Sequence, residues 1–272
     1  MSDIYLIASG KGGVGKSTIT AALGCALAQS GARVAVVDAD IGLRAQDALL
    51  SLENQVVYDL LDAASGACEL DQALLPVPFM PGLFLLPAAQ FARAKDLDVK
   101  RLRRLIRTLR VTHDYVLVDC PAGIERGFRN VVNARLCQAI LITTPDDIAM
   151  RDAERAASLL TEKGLDRPRL IVNRLQPELI SQGEMYTAQA IADTLDLSLL
   201  GEIPEDPAVY RAQLRHLPLI QTDCESRRAI LRIASRLRGQ FIPLPGYGHE
   251  KLSLWRRLRW HSLKEVSRLD DH

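Results

Sequence analysis

The chain has 272 residues, 48% of them hydrophobic and 25% charged, with a formal net charge of +1. That length suits one α/β domain or two small ones, and 17 Gly, 13 Pro and 5 Cys exclude collagen-like, low-complexity and disulfide-scaffold chains. The near-neutral total hides two basic segments: residues 97–111 and 251–269 each hold six Lys or Arg against one acidic residue, on an otherwise acidic body.

The start, Met1-Ser2-Asp3-Ile4, has neither the basic nor the long apolar region of a signal peptide. No apolar run approaches the ~20 residues of a membrane-spanning helix. Cys25, Cys68, Cys120, Cys137 and Cys224 form no CxxC pair, so they read as buried thiols in a reducing cytoplasm rather than as metal ligands.

Ile4–Ala8 is a short apolar run ending in Ser9-Gly10, which predicts a buried strand feeding a glycine-rich turn. Small and apolar residues at helical spacing follow over Ser17–Ser30 and stop at Gly31. Further strands are predicted at Val34–Val37, Leu83–Leu86, Tyr115–Val118, Ala139–Thr143 and Leu170–Val172. Helical patterns lie between them at about 97–111, 149–163, 186–195 and 226–239. Continuous Val/Ile/Leu strands alternating with helices imply a mostly parallel sheet with helices on both faces. The domain is expected to span 1–240, with a Pro/Gly linker at 241–250 and a basic amphipathic tail at 251–272.

Gly10-Lys11-Gly12-Gly13-Val14-Gly15-Lys16-Ser17 fits G-x-x-x-x-G-K-[ST], and it lies between a predicted strand and a predicted helix, where that motif cradles phosphate. Lys16 would reach the β/γ-phosphates and Ser17 would give a hydroxyl to Mg²⁺. Val116-Leu117-Val118-Asp119 delivers a carboxylate at a strand end, where a magnesium site needs one. Asp38 and Asp40 end another strand at the same edge. One could help hold magnesium through water while the other orients the attacking water; alternatively the pair caps a following helix.

Lys11, a second lysine early in the loop, resembles the deviant Walker A motif of the ParA/MinD family of ATPases. Other segments resemble the MinD branch: Val37-Asp38-Ala39-Asp40-Ile41-Gly42-Leu43-Arg44 as switch I and Asp119-Cys120-Pro121-Ala122-Gly123-Ile124-Glu125 as switch II. Thr143-Thr144-Pro145, Arg151-Asp152-Ala153, Val172-Asn173-Arg174, Gly183-Glu184-Met185 and Gly201-Glu202-Ile203-Pro204-Glu205-Asp206 follow in the family's order, so the likeness covers about residues 3–240. It implies a P-loop NTPase fold, ATP and Mg²⁺ as cofactors, and catalytic roles for Lys11, Lys16 and Asp40. Lys11 would act across a dimer axis. Magnesium would be held by Ser17, Asp38 and Asp119. The nucleotide would be bound by Gly10 to Thr18 (Gly10, Lys11, Gly12, Gly13, Val14, Gly15, Lys16, Ser17, Thr18) and by Asn173, Arg174, Pro204, Glu205 and Asp206. Implied partners are a second copy with ATP, an anionic membrane surface on the inner face of the cell membrane, a MinC-like division inhibitor and a MinE-like activator. The implied activity is partner-stimulated ATP hydrolysis in positioning the division septum. Ala45-Gln46-Asp47 departs from the family's usual Asn-Leu-Asp, which puts partner contacts beside switch I in question.

On a helical wheel of the tail, Leu252, Trp255, Leu258, Leu263, Val266 and Leu269 share one face, with Arg256 and Arg259 near its edge. This fits an in-plane amphipathic helix on anionic lipid, with a helix packed back on its own domain as the alternative. The runner-up reading is a ParA-like DNA-segregation ATPase using the basic helix at 97–111, where Leu102, Leu105, Ile106 and Leu109 would form a stripe beneath the charges. A flagellar-number regulator of the same class is a further alternative.

Overall fold

The computed structural model describes residues 3–42, 44–90, 98–121, 123 and 137–247. Strands β1 (Asp3–Ala8), β2 (Val34–Asp38), β4 (Leu83–Leu86), β5 (Tyr115–Asp119), β6 (Cys137–Thr143), β7 (Arg169–Leu175) and β8 (Ser198–Pro204) run parallel. The two-residue β3 (Leu75–Pro76) adds antiparallel to β4, giving the order β3-β4-β2-β5-β1-β6-β7-β8. This is the mostly parallel sheet expected from the apolar runs. β1 lies between β5 and β6, so the chain leaves its C-terminal end at the centre of the sheet.

Both sheet faces are covered, and alternation along β1 shows it. Ile4, Leu6 and Ala8 enter one apolar cluster, while Tyr5 and Ile7 enter the other. On the first face α5 (Val99–Thr112), α6 (Asp147–Glu162) and α8 (Ala188–Leu195) bury Leu102, Ile106, Met150, Leu160 and Ile191. On the second, α1 (Lys16–Gln29) and α10 (Glu225–Leu237) pack together and bury Leu23, Leu27, Ile230 and Ile233. Shorter helices join these layers: α2 (Gln46–Leu49), α3 (Leu60–Ser65), α4 (Leu70–Ala73), α7 (Pro177–Ser181) and α9 (Pro207–Leu214).

The basic helix α5 buries Leu102, Ile106 and Leu109 and leaves Arg101, Arg104 and Arg107 exposed, as its stripe predicts. All five cysteines are free thiols; only Cys68 is not fully buried, and burial pushes Cys25 up to about 12.

The expected linker is described as far as Tyr247. Residues 241–247 have no regular structure, yet they are tied to the β8 edge and not detached. Arg236 donates to the carbonyls of Ile242 (2.8 Å), Pro243 (2.7 Å) and Leu200 (3.0 Å). Buried Glu202 accepts from the Gly246 N–H at 2.6 Å, and Arg232 reaches the Tyr247 hydroxyl at 3.4 Å. Leu43 and the tail residues Leu252, Trp255, Arg256, Leu258, Arg259 and Leu263 lie outside the described residues.

Candidate functional site

The glycine-rich turn follows β1 and opens α1, as the motif requires. Gly15 caps α1 at φ +92°, a left-handed conformation that glycine adopts without a Cβ penalty. No side chain caps this end and no acidic residue occupies its first turn, so its N–H groups and positive helix end are available to an anion.

Gly10 is required by close approach: a Cβ there would lie 2.1 Å from the Asp152 backbone oxygen in α6. Backbone cannot rotate aside, so Gly10→Ala is expected to destabilise by about 1–3 kcal/mol. The fall in thermal midpoint, read by calorimetry, should be about 2–4 °C per kcal/mol. An unchanged midpoint would show that the loop and α6 part freely.

Beneath the loop is a buried charge cluster. Lys16, 6% exposed, places Nζ 2.5 Å from Oδ1 of the fully buried Asp119 and 3.5 Å from the Ser17 hydroxyl. Thr20 Oγ1 lies 3.5 Å from the same carboxylate oxygen. The other oxygen accepts from Gln46 Nε2 at 2.6 Å. Asp38 and Asp119 are register partners at the ends of β2 and β5, which brings the two carboxylates together.

Asp38 is fully buried, and Oδ1 accepts the Asp40 N–H at 3.0 Å. Its Oδ2 accepts the Ala45 and Gln46 N–H groups at 3.1 Å each, across the start of α2. The helix-capping alternative thus has a geometric basis for Asp38. Burial, helped by the Asp119 charge, pushes Asp38 up to about 7 despite those N–H donors. Asp40 is half-buried, and burial raises its carboxyl while Lys16 opposes the rise.

A cleft of about 390 Å³ opens beside Gly15. Thr18, Asn173, Arg174, Pro204, Glu205 and Asp206, six residues read from sequence as nucleotide contacts, all line it. Asn173 donates through Nδ2 to the Val14 carbonyl at 2.8 Å, so it also braces the loop. Arg174, the penultimate residue of β7, adopts φ +60°. Asp206 caps α9 through Ala208 N at 2.9 Å and accepts Glu225 N at 3.0 Å, tying α9 to α10. Burial opposes that charge, but these N–H donors hold Asp206 below the usual carboxylate range.

Lys11 stands apart from this cluster: it is exposed, and its charge helps lower Asp146. Sequence reasoning missed Thr20, Tyr210 and Gln213 at the site. Tyr210 and Gln213 line the cleft from α9, whose signal was Pro207 following a capping Asp206. The role of Gln46 was also missed.

The donor set suits a hard cation. The Ser17 hydroxyl and the Asp119 and Asp38 carboxylates are oxygen donors in one neighbourhood, and magnesium needs only one or two carboxylates when phosphates complete its shell. Among the described residues no group of three or more His, Cys, Asp or Glu could hold a metal by itself.

Comparison with known proteins agrees with the fold and the loop. The ParA family model, described as NUBPL iron-transfer P-loop NTPase, matches residues 1–238. The septum site-determining protein MinD of Synechocystis sp. is 42% identical over 262 residues, covering 95% of this chain and 98% of that one. Among solved structures, the MinC:MinD cell division protein complex of Aquifex aeolicus aligns with TM-score 0.83 and 36% identity, over 91% of this chain and 100% of that chain. MinD complexed with Mg-ADP from Pyrococcus horikoshii aligns with TM-score 0.77 and 29% identity, over 87% and 96%. With a family model matching residues 1–238 and near-full-length relatives above 30% identity, the chain belongs to the MinD family of ParA-type P-loop ATPases.

Proposed function

We propose that this chain is an ATP-dependent, dimerising ATPase that associates with anionic membrane, recruits a MinC-like inhibitor to position the division septum, and is released on hydrolysis. The observation that carries the reading is Lys16 held 2.5 Å from buried Asp119 under an uncapped helix end, beside a cleft of nucleoside size. Support comes from relatives named as septum site-determining proteins and from a solved MinC:MinD complex.

In this reading Lys16 exchanges Asp119 for the β/γ-phosphates when ATP enters, and the freed carboxylate joins Ser17 in facing the cation. Magnesium, when bound, neutralises charge on the phosphate oxygens. Ser17 and Asp119 would hold it, with Asp38 behind them keeping the start of α2 in place. Asp40, whose carboxyl is raised by burial, is suited to orient the attacking water and accept its proton. Lys11, exposed and apart from the buried cluster, would supply its charge to the nucleotide of a second copy. Asn173 and the cleft beside it would receive the base.

Attachment is assigned to the tail. Among the described residues no helix is long and apolar enough to cross a membrane. One short helix binds weakly, whereas two on a dimer gain avidity of about 10²–10⁴. Full-length protein should therefore co-sediment with vesicles rich in phosphatidylglycerol in ATP and stay largely soluble in ADP. A chain ending at residue 248 should remain in the supernatant in both. Truncated protein pelleting with ATP would sink the assignment to the tail. Equal pelleting of the full chain in both nucleotides would remove the switch. A nucleotide-dependent, salt-sensitive shift of duplex DNA without lipid binding would favour the DNA-segregation reading.

A further inference from the structure

We propose that Gln46 is a positioning residue for the hydrated magnesium ion, tying the cation to the segment that follows switch I. The inference deepens the reading above and rests on its magnesium site.

The Gln46 side chain is fully buried. Its amide nitrogen donates to Asp119 Oδ2 at 2.6 Å and to the Ser17 carbonyl at 3.1 Å. Both neighbours are acceptors only, so the nitrogen must face them; the reversed amide would set oxygen against oxygen. That orientation fixes Oε1, which is buried and finds no donor among the described residues. A buried amide oxygen left unpaired keeps the full cost of its lost hydration, so it is a poor resting arrangement unless the working state supplies a donor.

The chemistry narrows what that donor is. Nucleotide phosphates offer none, since their oxygens only accept at neutral pH. Lys16 is the nearby cation, and the phosphate site would claim it. A magnesium ion bound through one or two carboxylates and phosphates keeps several waters, each carrying two donor hydrogens. Gln46 touches the Ser17 carbonyl and the Asp119 carboxylate through its side chain, and Asp38 through its backbone N–H. The three residues read as the cation site therefore all meet at Gln46. Its Nε2 aims Asp119, its Oε1 receives a water of the ion, and its backbone begins α2. Gln46 does not touch the reacting atoms; it acts through Asp119 and the ion's hydration.

The test is binding of a fluorescent N-methylanthraniloyl-ADP to the full chain, titrated with magnesium chloride from an EDTA baseline. Wild type is compared with Gln46→Leu, which removes donor and acceptor, and with Gln46→Asn, which shortens both. Loss of an outer partner typically weakens metal affinity by about 10–100-fold. Gln46→Leu is thus expected to raise the half-saturating magnesium about tenfold or more while leaving affinity in EDTA within about twofold. Gln46→Asn should fall between the two, and it decides the matter if the leucine variant does not fold. A variant that loses affinity equally with and without magnesium would mark a purely structural role and overturn the inference. So would a magnesium curve matching wild type. Magnesium-independent binding by wild type itself would overturn the cation site as well, which separates that failure from failure of Gln46 alone.

Discussion

Lys16→Ala is expected to abolish measurable ATP hydrolysis and to cost the nucleotide-free chain about 3–5 kcal/mol, because it breaks a buried ion pair and leaves the carboxylate behind. Asp119 is fully buried and Lys16 is 6% exposed, so water does little to replace the lost cation. Asp38 adds a second buried carboxylate whose position across β2 and β5 makes the excess charge worse. The deficit should be smaller at pH 5 than at pH 8. Burial pushes Asp38 up to about 7, so Asp38 takes up a proton between those two pH values and reduces the charge that Lys16 would have countered. Denaturant melts at the two pH values, with steady-state phosphate release, would check this. A fully stable Lys16→Ala protein would mean that the cluster relaxes without its lysine.

Lys11→Ala should separate the two lysines of the loop. Lys11 is exposed, so its removal should change stability by less than about 0.5 kcal/mol. It should also leave ADP affinity unchanged. If it acts on the phosphates of a second copy, hydrolysis should fall by about 10³-fold or more, the scale of a cation supplied in trans. Mixing Lys11→Ala with a Lys16→Ala chain then gives heterodimers in which the Lys11→Ala copy's nucleotide meets the partner's intact Lys11. Partial recovery of phosphate release in that mixture is expected. An equally inactive mixture, with both proteins still dimerising in ATP, would place Lys11 in its own site.

Much of this was legible because it is local. β1, β2, β4 and β5 are uninterrupted apolar runs, and the glycine loop announces its chemistry in eight consecutive residues. β8 was not expected as a strand because Gly201 and Glu202 interrupt its apolar pattern. The buried Glu202 accepts the N–H of Gly246, 44 positions away, and interacts with the Arg236 charge. β3 is two residues long and contains proline, and α2 is a single short turn, so neither has a period to read. At Gln46 the sequence marked a departure but placed its consequence at partner contacts. Its tie to Asp119 spans 73 positions and depends on β2 and β5 being neighbours, which no local pattern states.

The clasp formed by Arg236 and Glu202 also sets a leash. Residues 241–247 are moored to the β8 edge, so the basic segment beginning at Lys251 starts at most ~14 Å from Tyr247, whatever path the intervening residues take. If that segment lies on lipid, the ATPase body cannot roam on a long arm. It must ride close to the surface with its β8 edge on the anchored side. Two such bodies joined by ATP would then present their moorings at a separation set by the dimer itself, so geometry as well as affinity decides whether both land.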